Sequence, residues 1–407
     1  MTPRRLRAAL LALGLALPAC PRAPVAPVAP RDAALAPDRP FARIYAADAG
    51  AGLFSEPEWR RIRRMSPVPP LEPDPTNRVA DDPAAARLGY ALFHDAALSV
   101  DGTVACAGCH DPARAFSDGL PRAVARGRVG RRNTPSLWWA ATHRWQLWDG
   151  AADSLWAQPV MAWEHPSEHG LSRDELARRL IARHGDALRA VFGADPGDDA
   201  LAVIARAGKC LAAYLRTIAP RSPAAFDRWV AGAPAAMEPA AVRGLQLFLR
   251  VGCVRCHSGA LFSDGDFHAV RFPDDPAVGP DHGRLDGSER ARAHPLRAQS
   301  AYSDEREAMF PPNPTSPEDD GRFLTPSLRG VALTAPYGHA GTLPTLESVI
   351  DLYAAGGTPA GDPRAQGVRD VFAEPFVLRG SDRADLVAFL RALTPGTHTN
   401  WVSVLPL

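Results

Sequence analysis

Two copies of one pentapeptide, Cys106-Ala-Gly-Cys109-His110 and Cys253-Val-Arg-Cys256-His257, constrain this 407-residue chain more than any other feature. The spacing suits covalent haem attachment: two thiols add across the porphyrin vinyl groups, and the adjacent histidine binds the iron from one face. A zinc site or a dithiol redox pair is the alternative. A zinc ribbon would be compact, whereas Cys106 and Cys253 lie 147 positions apart, and a thioredoxin-like dithiol does not need the trailing histidine. Two such motifs, using four of six cysteines, point to two covalently bound c-type haems. Cys106, Cys109, Cys253 and Cys256 would be the attachment thiols, with His110 and His257 as proximal iron ligands.

Aligning the motifs exposes an internal repeat. Gly-x-x-Leu-Phe precedes each (Gly89 to Phe93, Gly244 to Phe248), and Phe-Ser-Asp-Gly follows each, at 116–119 and 262–265. Thr-Pro-Ser-Leu recurs at 134–137 and 325–328, with a glycine (Gly150, Gly341) and then a leucine (Leu155, Leu346) at matched offsets. The fold expected is mostly α: two tandem cytochrome c-like haem domains related by duplication, 78–235 and 236–400. Helix signals support it. Asp82-Pro83 and Glu238-Pro239 open helices entering the two haem motifs, and Ser172 to Glu175 is a capping box before a run to about Phe192. Asp199 opens a helix through Ile218, Thr345 caps one stopped by Gly356-Gly357, and Ser381 caps one to about Leu393. Cys210 falls in such a pattern and reads as a buried, inert thiol. The stretch 266–322 breaks the repeat with a Pro- and charge-rich loop, which reads either as a lid or docking surface or as a solvated excursion.

The first twenty residues read as an export signal: Arg4, Arg5 and Arg7, then a short apolar run from Leu6 to Leu17. Its end, Leu17-Pro-Ala-Cys20, resembles a bacterial lipoprotein box, although proline at the second position is atypical and ordinary cleavage nearby is the alternative. Export fits haem attachment, which takes place outside the bacterial cytoplasm, so the periplasm is expected, with membrane contact only through a lipid on Cys20. Residues 21–77 read as a Pro/Ala-rich tether and N-terminal extension. A net charge of +1 gives no electrostatic case for nucleic acid.

The segments LGYALFHDAALS (88–99), RRNTPSL (131–137), LWDG (147–150) and LRGVALTAPYGHAGTLPTLESVIDLYAAGG (328–357) resemble the bacterial diheme cytochrome c peroxidase and MauG superfamily over roughly residues 80–395. The resemblance implies a peroxide-reacting N-terminal haem, an electron-transferring C-terminal haem, and one calcium ion between them. On that basis Asn133, Thr334 and Pro336 match the calcium site, the last two through backbone carbonyls. Trp148 matches the tryptophan between the haems, and Gln158 and Glu168 the distal-pocket amide and carboxylate. Glu164 competes with Glu168, which the Pro166-x-Glu-x-Gly170 context favours. A family proline is displaced to Pro159, which leaves the pocket's shape open.

Two departures bear on subtype. Where peroxidases needing reductive activation carry a loop histidine, this chain has Arg126, which implies a first haem open to peroxide at rest. None of the five methionines falls at the second haem's distal position, and Tyr353 stands there, as in MauG-type enzymes. A phenolate ligand stabilises ferric iron and lowers the reduction potential relative to a thioether. A buried core tyrosine is the plain alternative. Trp138, Trp139, Trp145, Trp156 and Trp163 read as packing against porphyrin rather than as relays, and His339 as a hydrogen-bonding neighbour of the second haem. The remaining histidines read mostly as surface or loop residues, with His165 and His169 singled out for mutation because they flank the expected distal carboxylate. The expectation is a MauG-like oxidoreductase that uses hydrogen peroxide to oxidise a partner protein through high-valent haem. The alternatives are a peroxidase supplied by a small c-type cytochrome or cupredoxin, and a non-enzymatic diheme electron carrier.

Overall fold

The computed structural model describes residues 53–396, apart from 194–196, 198, 221 and 307–314. The export signal with Cys20, and the tether and extension as far as residue 52, lie outside the described residues. Helix dominates. In chain order the α-helices are α1 (Glu56–Arg63), α2 (Pro83–His94), α3 (Cys106–Cys109), α4 (Gln158–Glu164), α5 (Arg173–Phe192) and α6 (Ala200–Leu215). They continue as α7 (Ala225–Val230), α8 (Pro239–Arg250), α9 (Arg284–Ala293), α10 (Leu346–Ala354) and α11 (Asp382–Ala392). The strands are two-residue antiparallel pairs: β1 (Val124–Ala125) with β2 (Arg128–Val129), and β3 (Phe267–His268) with β4 (Phe323–Leu324). Among the described residues no helix is long and apolar enough to cross a membrane.

Two helix crossings organise two cores, and both need a glycine. A Cβ at Gly89 of α2 would lie 2.0 Å from the Cys210 carbonyl oxygen of α6. A Cβ at Gly244 of α8 would lie 2.0 Å from the Asp385 carbonyl oxygen of α11. Around the first crossing pack Leu92, Phe93, Trp156, Trp163 and Leu180; around the second pack Phe248, Phe262, Phe389 and Ile350. Such backbone proximity lets the flanking apolar side chains interdigitate at interior density.

The sequence boundaries shift at three places. Phe54, Ile62 and Met65, read as part of the extension, are buried in the second core, where Trp59 stacks on Trp229 at 5.2 Å. Phe226 and Trp229, placed by the sequence division in the first half, belong to that same core. The helix opened by Asp199 ends at Leu215 rather than Ile218. Ser381 does not cap α11 by its side chain; its hydroxyl donates to Asp385 at 2.8 Å instead.

The described part of 266–322 is not a solvated excursion. Its ends are joined by the β3–β4 pair, and Leu296 enters the first core. Arg284 of α9 is buried and donates to the Gly150 carbonyl at 2.9 Å. The Ala298 amide donates to Asp153 at 2.9 Å, and the chain's sole lysine, Lys209, pairs with Asp304 at 2.6 Å.

Candidate active site

Each haem motif sits on a short turn whose histidine is fixed by the carbonyl of a left-handed phenylalanine. His110 Nδ1 lies 2.7 Å from the Phe116 carbonyl (φ 58°), and His257 Nδ1 lies 2.9 Å from the Phe262 carbonyl (φ 53°). The hydrogen bond assigns the proton to Nδ1, so Nε2 keeps its lone pair, and burial lowers both imidazole pKa values. A neutral, oriented imidazole is what an iron ligand requires. The supporting contacts recur too. Ser117 and Ser263 hydroxyls donate to the Thr134 and Thr325 carbonyls, and Ser136 and Ser327 to those of Ala115 and Leu261.

None of the described cysteines is in a disulfide. Burial pushes the Cys106 and Cys253 thiols up to about 12 and Cys109 to about 11, so they are neutral rather than reactive thiolates. Cys210 is buried in α6 and pushed to about 12, in keeping with an inert core thiol.

All thirteen residues singled out for the site line one cavity of about 1070 Å³. That exceeds the roughly 300–1,000 Å³ typical of single small-molecule sites, and it reaches both Cys-x-x-Cys-His motifs. Several polar groups on its wall are unspent, which suits large bound groups. The Tyr353 hydroxyl and the Gln158 side-chain amide make no hydrogen bond to a described residue. Tyr353 packs edge-on against Phe272 at 5.7 Å, and burial raises its pKa.

The two candidate carboxylates differ sharply. Glu164 is held by Arg173 through bonds of 2.6 and 3.1 Å, with His294 at 3.7 Å. Burial alone would raise its pKa, but these partners outweigh burial and bring it to about 2. The ion-pair neighbour of Glu168 among the described residues is His165, at 3.6 Å, and burial raises the Glu168 pKa to about 7. Its side chain keeps 44 % exposure where it borders the cavity.

Trp148 is tied to both halves: its Nε1 donates to the Asn133 carbonyl at 2.9 Å, and its own carbonyl accepts from the Leu324 amide at 2.8 Å. Asn133 is buried and spends its amide nitrogen on the Leu120 carbonyl at 2.8 Å. Its Oδ1 and the Thr334 and Pro336 carbonyls accept no hydrogen bond from a described residue, leaving three oxygens of the kind a hard cation prefers.

Sequence reasoning undervalued several histidines. His169 is buried, with Nδ1 2.7 Å from the Leu98 carbonyl, and His143 is lowered to about 4 by burial on the cavity wall. His268 bridges Asp264 (2.9 Å) and Asp370 (2.8 Å). Only the Asp264 link was available to sequence, as an i,i+4 spacing from the Phe-Ser-Asp-Gly block. His339 is buried, stacked 3.8 Å from Phe323, with Nε2 committed to Asp274 at 2.8 Å.

Comparison with known proteins identifies the family. The sequence profile described as di-haem cytochrome c peroxidase matches residues 83–235. Cytochrome-c peroxidase IdrP1 of Denitromonas iodatirespirans is 36% identical over 360 residues, 86% of this chain and 89% of that protein. The methylamine utilization protein MauG of Methylorubrum extorquens is 36% identical over 340 residues, 82% and 83% of the two chains. Among solved structures, a MauG-like protein associated with microbial copper homeostasis superposes with a TM-score of 0.63 at 27% identity, covering 83% of this chain and 96% of that one.

Proposed function

Because the chain belongs to the di-haem cytochrome c peroxidase family, whose members are haem oxidoreductases with two c-type haems, we propose that it works in the MauG-like manner, using hydrogen peroxide to oxidise a partner protein. Bound haem supplies the iron that takes peroxide and stores its oxidising equivalents. Glu168, titrating near neutrality, takes a proton from one peroxide oxygen and returns it to the other. Gln158 offers its free amide to orient the peroxide. Glu164, committed to Arg173, does not serve as that acid–base group. Trp148, bonded to Asn133 and to Leu324, keeps its ring fixed between the segments of the two halves.

The observation that carries the MauG-like reading is Tyr353, on the cavity wall with Cys253, Cys256 and His257, its hydroxyl without a hydrogen-bond partner among the described residues. A buried core tyrosine normally pairs its hydroxyl; an iron ligand gives up its proton and needs no such partner. EPR and optical spectra of Tyr353→Phe test this: changed ligation of the second haem is expected, and spectra identical to the parent would refute it. The equal likeness to a cytochrome-c peroxidase favours a second reading, in which a small c-type cytochrome or cupredoxin refills the haems.

The paired crossings at Gly89 and Gly244, and the paired histidine and serine contacts, support an origin by duplication of one haem domain. The free oxygens of Asn133, Thr334 and Pro336 support a calcium ion there. Periplasmic location, with a lipid on Cys20, is proposed on the N-terminal sequence alone.

A further inference from the structure

Arg126 occupies the first position of the two-residue turn joining β1 and β2, with φ of 52°, and Gly127 follows at 69°. Positive φ at both positions is the type I′ hairpin geometry, which favours Asn, Asp or Gly. An arginine is a poor local choice there, and such departures from local preference concentrate where a side chain is needed.

The side chain is 18% exposed and reaches two segments remote in sequence. Nε donates to Asp101 Oδ2 at 3.1 Å, and a terminal nitrogen donates to the Pro166 carbonyl at 3.2 Å. The same nitrogen lies against Gly170, where a Cβ would come within 2.3 Å of it. The guanidinium therefore touches both ends of Pro166-Ser-Glu168-His-Gly170. Other bonds of this loop run back to its own preceding helix and that helix's C-cap, such as His169 N to the Ala162 carbonyl at 3.4 Å and Glu168 N to the His165 carbonyl at 2.9 Å. The ties to other segments are those of His169, to Leu98 and Val100 at 2.7 and 2.9 Å, and those of Arg126.

We propose that Arg126 is a positioning residue for the Glu168 carboxylate, clamping the Pro166–Gly170 loop against the Asp101 segment. The inference rests on the reading of Glu168 as the proton-transferring group. The loop that elsewhere in the family offers a histidine to the first haem here carries a brace for the acid–base residue.

Stopped-flow measurement of the peroxide reaction of the diferric holoprotein tests it, with Glu168→Gln, Arg126→Asn and the double variant side by side. Asparagine suits the turn, so Arg126→Asn should melt no lower than the parent. It should react about 10- to 100-fold more slowly, the scale of loss expected when a reacting group is misplaced. The double variant should be no slower than Glu168→Gln alone, because the arginine acts through the glutamate. A parent-like rate for Arg126→Asn, or a double variant slower by the full Arg126 factor, overturns the proposal. Glu168→Gln at the parent rate overturns both the acid–base reading and the brace, whereas a slow Glu168→Gln beside a parent-like Arg126→Asn overturns the brace alone. Asp101→Asn, which keeps an oxygen for the Thr103 amide and hydroxyl while replacing the Oδ2 that accepts from Arg126, gives the same cycle by a second route and should slow the reaction in the same direction.

Discussion

At the residue scale, the site is decided by what surrounds two glutamates four positions apart. Sequence context favoured Glu168 by its Pro-x-Glu-x-Gly setting, but it could not assign charge. The partners that lower Glu164 are Arg173, nine residues on, and His294, more than a hundred residues away. A carboxyl with a pKa of about 7 must lose its proton before it can accept one from peroxide. The rate of the peroxide reaction should therefore be low below pH 7, rise through about 7 and level off above it. Glu168→Gln should remove that rise and slow the reaction by about 10²–10⁴-fold. A stopped-flow pH series on both proteins checks this. The two Cys-x-x-Cys-His motifs were legible because each is contained in five contiguous residues. The histidines His143, His169 and His268 were not, because burial and acidic partners come from other segments.

At the level of elements, helix starts were legible wherever a side chain does the capping. Asp82 accepts from the Ala84 and Ala85 amides, and Ser172 accepts from Glu175 N, as the local sequence indicates. Helix ends were less so: α6 stops at Leu215, and the Arg216 amide closes its last turn on the Ala212 and Tyr214 carbonyls. The paired glycines of the repeat gain a physical meaning only in the crossings. Gly89→Ala would drive a methyl into the Cys210 carbonyl, and a backbone oxygen cannot step aside as a side chain can. Overpacking of this kind costs about 1–3 kcal/mol. A lower melting temperature for Gly89→Ala, followed by far-ultraviolet circular dichroism, is the expected result, with Gly244→Ala behaving alike.

Across the whole molecule, the duplicated pattern was readable from matched offsets, but the connections between halves were not. Several of those connections are made by the least repetitive part of the chain. Asp281 holds Arg132 through two 2.7 Å bonds, Asp304 holds Lys209, and Leu324 reaches Trp148, all from within or just beyond the 266–322 loop. Charged residues in a long loop carry no periodicity that would reveal their partners. The proposed calcium oxygens mark a further link beyond that loop, where the Asn133 backbone amide donates to the His339 carbonyl at 2.8 Å. Treating the holoprotein with a calcium chelator should alter the EPR signals of the haems and slow the peroxide reaction, and added calcium should reverse both. Asn133→Ala should reproduce the chelated state.

The most direct test of the central claim is one equivalent of hydrogen peroxide added to the diferric protein without any donor, followed by optical and EPR spectra. A long-lived state in which the ferric signals of both haems are lost together is predicted. Oxidation confined to the first haem, with rapid return to ferric only when a reduced small cytochrome is supplied, would contradict the MauG-like account.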